Sequence, residues 1–189
     1  MKLITFTVPC YNSAAYMDHC IETLLTAGED AEIILVDDGS KDDTGKIADA
    51  YAEKYPTIVR VIHQENGGHG EGVNQGIRNA TGVYFKVVDS DDWLDGQALS
   101  AMLSILRGFI ERDLRVDLFI SNYVYEKVHE GTHNTVSYRM ALPRKKIFEI
   151  FKCLIFCYLF FANLALRSKP GLPEKPTARI KSPTETITC

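Results

Sequence analysis

No run in this sequence is apolar for long enough to cross a bilayer. The longest uninterrupted one, Cys153 to Ala162, falls well short of the roughly 20 residues that a transmembrane helix requires. The wider apolar segment 147–166 is broken by Glu149, Lys152 and Asn163, so it reads as a buried or interfacial helix. Its outward roles would be peripheral membrane association or a homodimer contact. Positive charge is also scarce: 21 Lys and Arg against 25 Asp and Glu leave a net charge of −4. That excludes a nucleic-acid coat, and any anionic ligand must be held by local devices such as a metal ion or helix N-termini. Disulfide chemistry is equally unsupported. The cysteines, Cys10, Cys20, Cys153, Cys157 and Cys189, are odd in number and show no pairing pattern. Cys153-x-x-x-Cys157 lacks the second ligand pair of a zinc site. Reduced thiols in a cytoplasmic protein are expected. No signal peptide is visible either, because the first apolar run, Leu3 to Val8, is short and is stopped by Pro9. Finally, no Asp occurs after Asp117, an absence that matters for catalysis below.

What is present fits one domain with a full-sized core. Strand and helix patterns alternate through the first two thirds. Leu3–Val8, Ala31–Val36, Ile58–Ile62, Val83–Val88 and Val116–Val124 read as strands of β-branched, aliphatic and aromatic residues. Helices are expected over Ala14–Ala27, from Ser40 to about Tyr55, over Val73–Ala80 and over Gln97–Arg112. Ser40 and Asp43 have the spacing of a capping box. This alternation predicts an α/β domain, a Rossmann-like and mainly parallel sheet with helices on both faces. In such sheets ligands bind outside the carboxyl ends of the strands. Asn12, the Asp37/Asp38 pair, the glycine-rich stretch Asn66–Gly72 and the acidic Asp89-Ser90-Asp91-Asp92 all follow their strands at that end.

The acidic stretch is the centre of the reading. Three carboxylates this close repel one another, so without a cation some of them must have raised pKa values. Hard oxygen ligands suit Mg²⁺ or Mn²⁺. Period-two alternation, if the strand stays extended, places Asp89 and Asp91 on one side and Ser90 on the other. Asp92 or Asp95 also suits a helix N-cap. Trp93 is expected to pack beneath the acidic loop. One carboxylate of the Asp37/Asp38 pair has the chemistry to accept a nucleobase hydrogen bond, with Tyr11 stacking on the base; an Asx turn at Asp38-Gly39 is the plainer alternative. Asn66–Gly72 is read either as a turn with several positive φ angles or as backbone N–H groups approaching a phosphate or sugar. Two nucleotide motifs are excluded. Gly39 to Lys46 has the wrong glycine spacing for a Walker A loop and Ile47 where Ser or Thr should stand, and Gly67–Gly72 lacks the G-x-G-x-x-G frame. His63 and His69 fall near the cleft and are assigned no metal role.

Val8-Pro-Cys-Tyr-Asn12, Val36-Asp-Asp-Gly-Ser40, Asn66-Gly-Gly, Val73-Asn-Gln-Gly76, Ala80-Thr-Gly82 and Asp89-Ser-Asp-Asp-Trp93 occur in order and at suitable spacing. Together they resemble the family 2 glycosyltransferases over about residues 1–125. The resemblance implies the GT-A fold and an inverting, metal-dependent transfer of a sugar from a nucleotide-sugar, commonly a UDP-sugar, to a glycan or lipid-linked acceptor. It implies donor-binding roles for Pro9, Tyr11, Asn12, Asp37, Asp38, Gly68, Asn74, Asp89 and Ser90. Asp91, with Asp89, would hold the Mn²⁺ or Mg²⁺ that bridges the diphosphate. The general base is where this chain departs from the family pattern. A carboxylate, often Asp, normally comes from the C-terminal half, and here only Glu126 and Glu149 stand as weak candidates among the downstream glutamates. Residues 1–125 are thus expected to be the donor-binding core and 126–167 an incomplete acceptor-side region. Residues 168–189 read as a Pro-rich disordered tail. A truncated or frame-shifted C-terminus is the expectation that joins these points. The alternatives are a donor-binding fragment without turnover and, from another class, a metal-dependent nucleotidyltransferase. Work at the inner face of the membrane would suit a lipid-linked acceptor.

Overall fold

The computed structural model describes residues 1–127, 132–137 and 164–167. Its elements run β1 (Ile4–Cys10), α1 (Met17–Leu25), β2 (Ala31–Asp37), α2 (Thr44–Lys54), β3 (Val59–His63), α3 (His69–Asn79), β4 (Tyr84–Val87), α4 (Gly96–Glu111), β5 (Leu118–Ile120), β6 (Tyr123–Lys127), β7 (Thr132–Val136) and β8 (Leu164–Arg167). The main sheet has the order β3-β2-β1-β4-β8-β5, and β6 and β7 form a separate hairpin. β3, β2, β1 and β4 are parallel, with Thr7 opposite Ile34 on one side and Val87 on the other.

Alternation along β1 sorts the two faces. Ile4, Phe6, Val8 and Cys10 enter the main core with Met17, Cys20, Ile21 and Leu24 of α1, Ala48 of α2, and Leu99, Met102, Leu103 and Leu106 of α4. Burying each large aliphatic or aromatic side chain there contributes about 1.5–3 kcal/mol. Thr5, Thr7 and Pro9 face the opposite way, toward α3. That helix carries glycines one turn apart: a Cβ on Gly72 would meet Pro9 Cβ at 3.1 Å, and one on Gly76 would overlap the Thr7 side chain. Helices therefore cover both faces, and α3 lies on the sheet at backbone range.

Several boundaries differ from those expected. α3 starts at His69, not Val73, because close packing on β1 favours glycine where helix propensity alone would not. β1 continues through Pro9 to Cys10. The last β1–β4 pair is Thr7 and Val87, so the missing proline N–H points past the end of that ladder. α2 starts at Thr44 without a side-chain cap from Asp43. The capping box is not formed: Asp42 Oδ1 accepts from Thr44 N–H, and Ser40 Oγ accepts from Asn12 N–H. The fifth expected strand, Val116–Val124, is divided between β5 and β6.

The expected apolar helix over 147–166 overlaps a strand at its end. β8 pairs antiparallel with β4 (Phe85 opposite Leu166) and with β5 (Phe119 opposite Ala165). The backbone groups along the free edge of β4 require partners, and this segment supplies them. The rest of that run and the expected tail lie outside the described residues.

Candidate functional site

The strand order reverses at β1: β2 and β3 lie on one side and β4 on the other. In open α/β sheets ligands bind beyond the carboxyl ends of the strands at such a switch point, and the expected polar residues gather there. Asn12, directly after β1, adopts a left-handed φ of 51°. Its N–H donates to Ser40 Oγ at 3.0 Å and its Oδ1 accepts from Lys41 N–H at 2.8 Å, which joins the loops after β1 and β2. Tyr11 beside it is 47% exposed, an open ring at this edge of the sheet. Pro9 underlies the site through its contact with Gly72.

Asp37 and Asp38 are both buried but serve different neighbours. Asp37 Oδ1 accepts from Ser40 N–H at 3.1 Å, and Oδ2 lies 3.0 Å from His63 Nδ1. Burial alone would raise the Asp37 pKa; the Ser40 and His63 hydrogen bonds outweigh it and hold the carboxyl below its ordinary value. Asp38 Oδ1 accepts from Gly67 N–H and Oδ2 from Gly68 N–H, each at 2.8 Å, and Gln64 Nε2 also donates to Oδ1. Of the two readings of the glycine-rich stretch, the structure supports neither in full. Only Gly68, at φ 82°, has a positive φ there, and two of its N–H groups point to Asp38. Asn74 sits on α3 and donates to Glu71 Oε2 at 3.3 Å.

β4 ends at Val87, and the acidic stretch is a turn closed by Asp92 N–H donating to Asp89 O at 2.9 Å. Strand alternation therefore does not extend to Asp91. Ser90 points inward, buried, with Ser13 Oγ at 2.9 Å; it anchors the turn to the loop after β1. Asp89 Oδ1 lies 2.8 Å from His69 Nε2. That hydrogen bond, acting against burial, lowers the Asp89 pKa. Asp92 shows the expected repulsion: burial, then the charges of Asp89 and Asp91, raise its pKa. Asp91 is exposed. The cap of α4 is Asp95, whose Oδ1 accepts from Ala98 N–H at 2.8 Å. Trp93 is not packed beneath the loop. It is 39% exposed, with its ring edge-on to His19 at 5.0 Å, because the turn is already fixed by Ser90, by Asp95 and by Leu94 N–H donating to Thr23 Oγ1.

Three residues gained importance only from the structure. His63 bridges Asp37 and Asp49, and His69 faces Asp89. Lys86, within what looked like an apolar strand, is 3% exposed; burial lowers its pKa to about 8 although Asp92 and Asp89 oppose the shift. A charged residue inside the run Val83–Val88 was the available signal. Of the two base candidates, Glu126 is exposed on β6 with its Oε1 3.5 Å from His133 Nδ1, and Glu149 lies outside the described residues. Among the described residues, no cluster of three or more His, Cys, Asp or Glu is placed to hold a metal ion, and no helix is long and apolar enough to cross a membrane.

The model of the family described as Glycosyl transferase family 2 matches residues 5–162. The chain belongs to glycosyltransferase family 2. Its relatives include glycosyltransferase GlyG of Streptococcus pneumoniae, 40% identical over 124 residues, a match that covers 65% of this chain and 39% of GlyG. Among solved structures, S. aureus TarS 1-349 in complex with UDP superposes with a TM-score of 0.52 at 28% identity, over 64% of this chain and 35% of TarS. The mannosyltransferase PcManGT from Pyrobaculum calidifontis, solved with GDP-Man and Mn²⁺, shares the fold at a TM-score of 0.51 and 22% identity. The fold of this family 2 chain is GT-A, and it spans well under half the length of these relatives.

Proposed function

We propose that this chain carries the donor site of an inverting, metal-dependent glycosyltransferase that moves a sugar from a UDP-sugar to a glycan or lipid-linked acceptor. The observation that carries the reading is the convergence of Tyr11, Asp37, Asp38, Asp89 and Asp91 at the switch point between β1 and β4. The likeness to TarS, which was solved with UDP, supports UDP as the nucleotide. Tyr11 is the stacking surface for the base. The Asp37–Ser40 turn and the Asp38-bound glycine loop form the wall beside it. Asp89 lies against the ribose or sugar.

The residues fit a divalent cation. Mg²⁺ and Mn²⁺ sites of this type need one or two carboxylates plus substrate phosphates, so the lack of a three-ligand protein cluster is no obstacle. Among the described residues Asp91 is exposed and accepts no hydrogen bond. Its charge and that of Asp89 add to burial in raising the Asp92 pKa, a repulsion that a cation would relieve. Asp91, with Asp89, would hold the ion, which would supply charge neutralisation for the departing diphosphate. The acceptor hydroxyl must lose its proton to a base, and Glu126 and Glu149 are the candidates.

Calorimetric titration of UDP with and without Mn²⁺, on the native chain and on Asp91→Asn, tests the donor site. Metal-dependent binding that the substitution abolishes is expected; no binding in either condition refutes the reading. Incubation with UDP-sugars then separates the activities. Release of UDP marks a glycosyltransferase, release of pyrophosphate a nucleotidyltransferase, and binding without release a donor-binding fragment.

A further inference from the structure

His63 is the last residue of β3 and stands opposite Asp37 in the parallel β2–β3 register. Its ring is held on both sides. Nδ1 lies 3.0 Å from Asp37 Oδ2, and Nε2 lies 3.0 Å from Asp49 Oδ1 on α2. The first turn of α2 closes over this pair at Gly45, where a Cβ would come within 2.8 Å of Asp37 Oδ2 and 3.4 Å of His63 Cε1. Gly45 is therefore the residue that lets the helix approach.

The chemistry of the ring decides what this arrangement needs. A neutral imidazole has one N–H and one lone pair, so it can donate to only one of two carboxylates and must turn its lone pair toward the other. An imidazolium donates to both. The charged groups facing the ring are Asp37 from β2 and Asp49 from α2, and both favour the cation.

The consequence reaches the donor wall. Asp37 receives His63 on one oxygen and Ser40 N–H on the other, and Ser40 Oγ receives Asn12 N–H. Asp38, the next residue, holds Gly67 and Gly68. We propose that His63 is a positioning residue for the donor site: as an imidazolium clamped between Asp37 and Asp49, it sets the β2–α2 turn and through it the wall that receives the nucleotide. This rests on the donor-site reading above.

A pH dependence follows. The Asp37 and Asp49 hydrogen bonds raise the pKa of His63 above its ordinary 6.5. The clamp is complete below that raised value and is lost as pH rises through it. UDP affinity falls in the same window, by at most about tenfold per pH unit for a single linked proton. Reciprocally, UDP raises the pKa of His63.

The test is calorimetry of UDP with Mg²⁺ from about pH 6 to about pH 8.5 on the native chain, His63→Gln and Asp49→Asn, with the His63 ring titration followed by NMR. Titration of UDP itself is common to all three. The native chain is expected to lose affinity as the His63 signal titrates. His63→Gln is expected to bind weakly and to lack that component. Asp49 is exposed and lies outside the donor wall, so Asp49→Asn tests the clamp without touching the ligand site. It is expected to keep low-pH binding and to move both the affinity midpoint and the ring midpoint to lower pH. An unchanged affinity midpoint in Asp49→Asn, with the ring midpoint shifted, overturns the proposal even where His63→Gln fails to fold. So does a native profile in His63→Gln. Absence of UDP binding by the native chain at every pH overturns the donor-site reading and this inference with it, whereas pH-independent native binding overturns this inference alone.

Discussion

Gly68 gives its N–H to Oδ2 of Asp38 at 2.8 Å while holding a φ of 82°, so the carboxylate after β2 fixes the loop that starts α3. The geometry needs two acceptor oxygens on one side of the bond and a residue tolerant of positive φ on the other. Asp38→Asn keeps the size but leaves one of the two amides facing an NH₂ group. A loss of about 1–3 kcal/mol in urea unfolding is expected, together with weakened UDP binding. Gly68→Ala meets no neighbour within 4 Å, and its cost is the backbone strain of φ 82° with ψ 165°, a combination nearly reserved to glycine, about 1–3 kcal/mol. A stability unchanged in both variants would contradict the assignment.

The seat of α3 on β1 makes a second prediction. Gly76→Ala improves intrinsic helix propensity by about 1 kcal/mol, yet the added methyl overlaps Thr7. Overpacking outweighs propensity here, and a net destabilisation of about 1–3 kcal/mol is expected. A shift of the urea midpoint at constant slope is the measurement.

Glu32 predicts the acid limb. It is 4% exposed and accepts from Thr5 Oγ1, Thr81 N–H, Thr81 Oγ1 and Arg60. Burial raises its pKa, but these bonds together prevail and bring it below the ordinary value of 4.5. Its contribution is therefore present above the unfolded pKa and is lost as pH falls through the folded one. Glu32→Gln is expected to cost about 2 kcal/mol near neutrality and to flatten the fall in stability below about pH 4.5. An equally steep acid limb in the variant would refute this.

Lys86 acts at the opposite end of the scale. Its pKa of about 8 in the fold compares with an ordinary 10.5. Between those values the unfolded chain holds the extra proton, so this residue makes stability rise with pH, by at most about 1.4 kcal/mol per unit. Cys10 pulls the other way, since burial and then Asp37 raise its thiol pKa to about 12. The difference between the native chain and Lys86→Met isolates the lysine. That difference should move in favour of the native chain from about pH 8 to about pH 10, read by urea unfolding; a flat difference would exclude the buried charge.

The alternation of β1 through α4 was legible because each element carries its own periodicity, and the acidic strand ends were legible because Asp is unusual beside runs such as Ile33–Val36. What escaped the sequence depends on neighbours distant in the chain. Gly70 and Gly72 argue against a helix until Pro9 and Thr7 are known to lie beneath it. His63 looks incidental until the β2–β3 register places it beside Asp37. Trp93 is expected beneath the acidic loop, but smaller polar residues distant in the chain, Ser13 and Thr23, already hold that turn. β8 could not be anticipated, since nothing within Leu164–Arg167 names β4 as its partner.

The insertion of β8 between β4 and β5 bears on how the chain is made. At about 5–20 residues per second, the elements from β1 to β5 are synthesised seconds before Leu164 is added. Throughout that interval the outer edge of β4 has no strand beside it, and β5 has no neighbour to join. An open edge of this kind is a template for pairing with other chains. Chains that stop short of Leu164 would therefore aggregate edge to edge or occupy holdase chaperones, and docking of four late residues would close the edge.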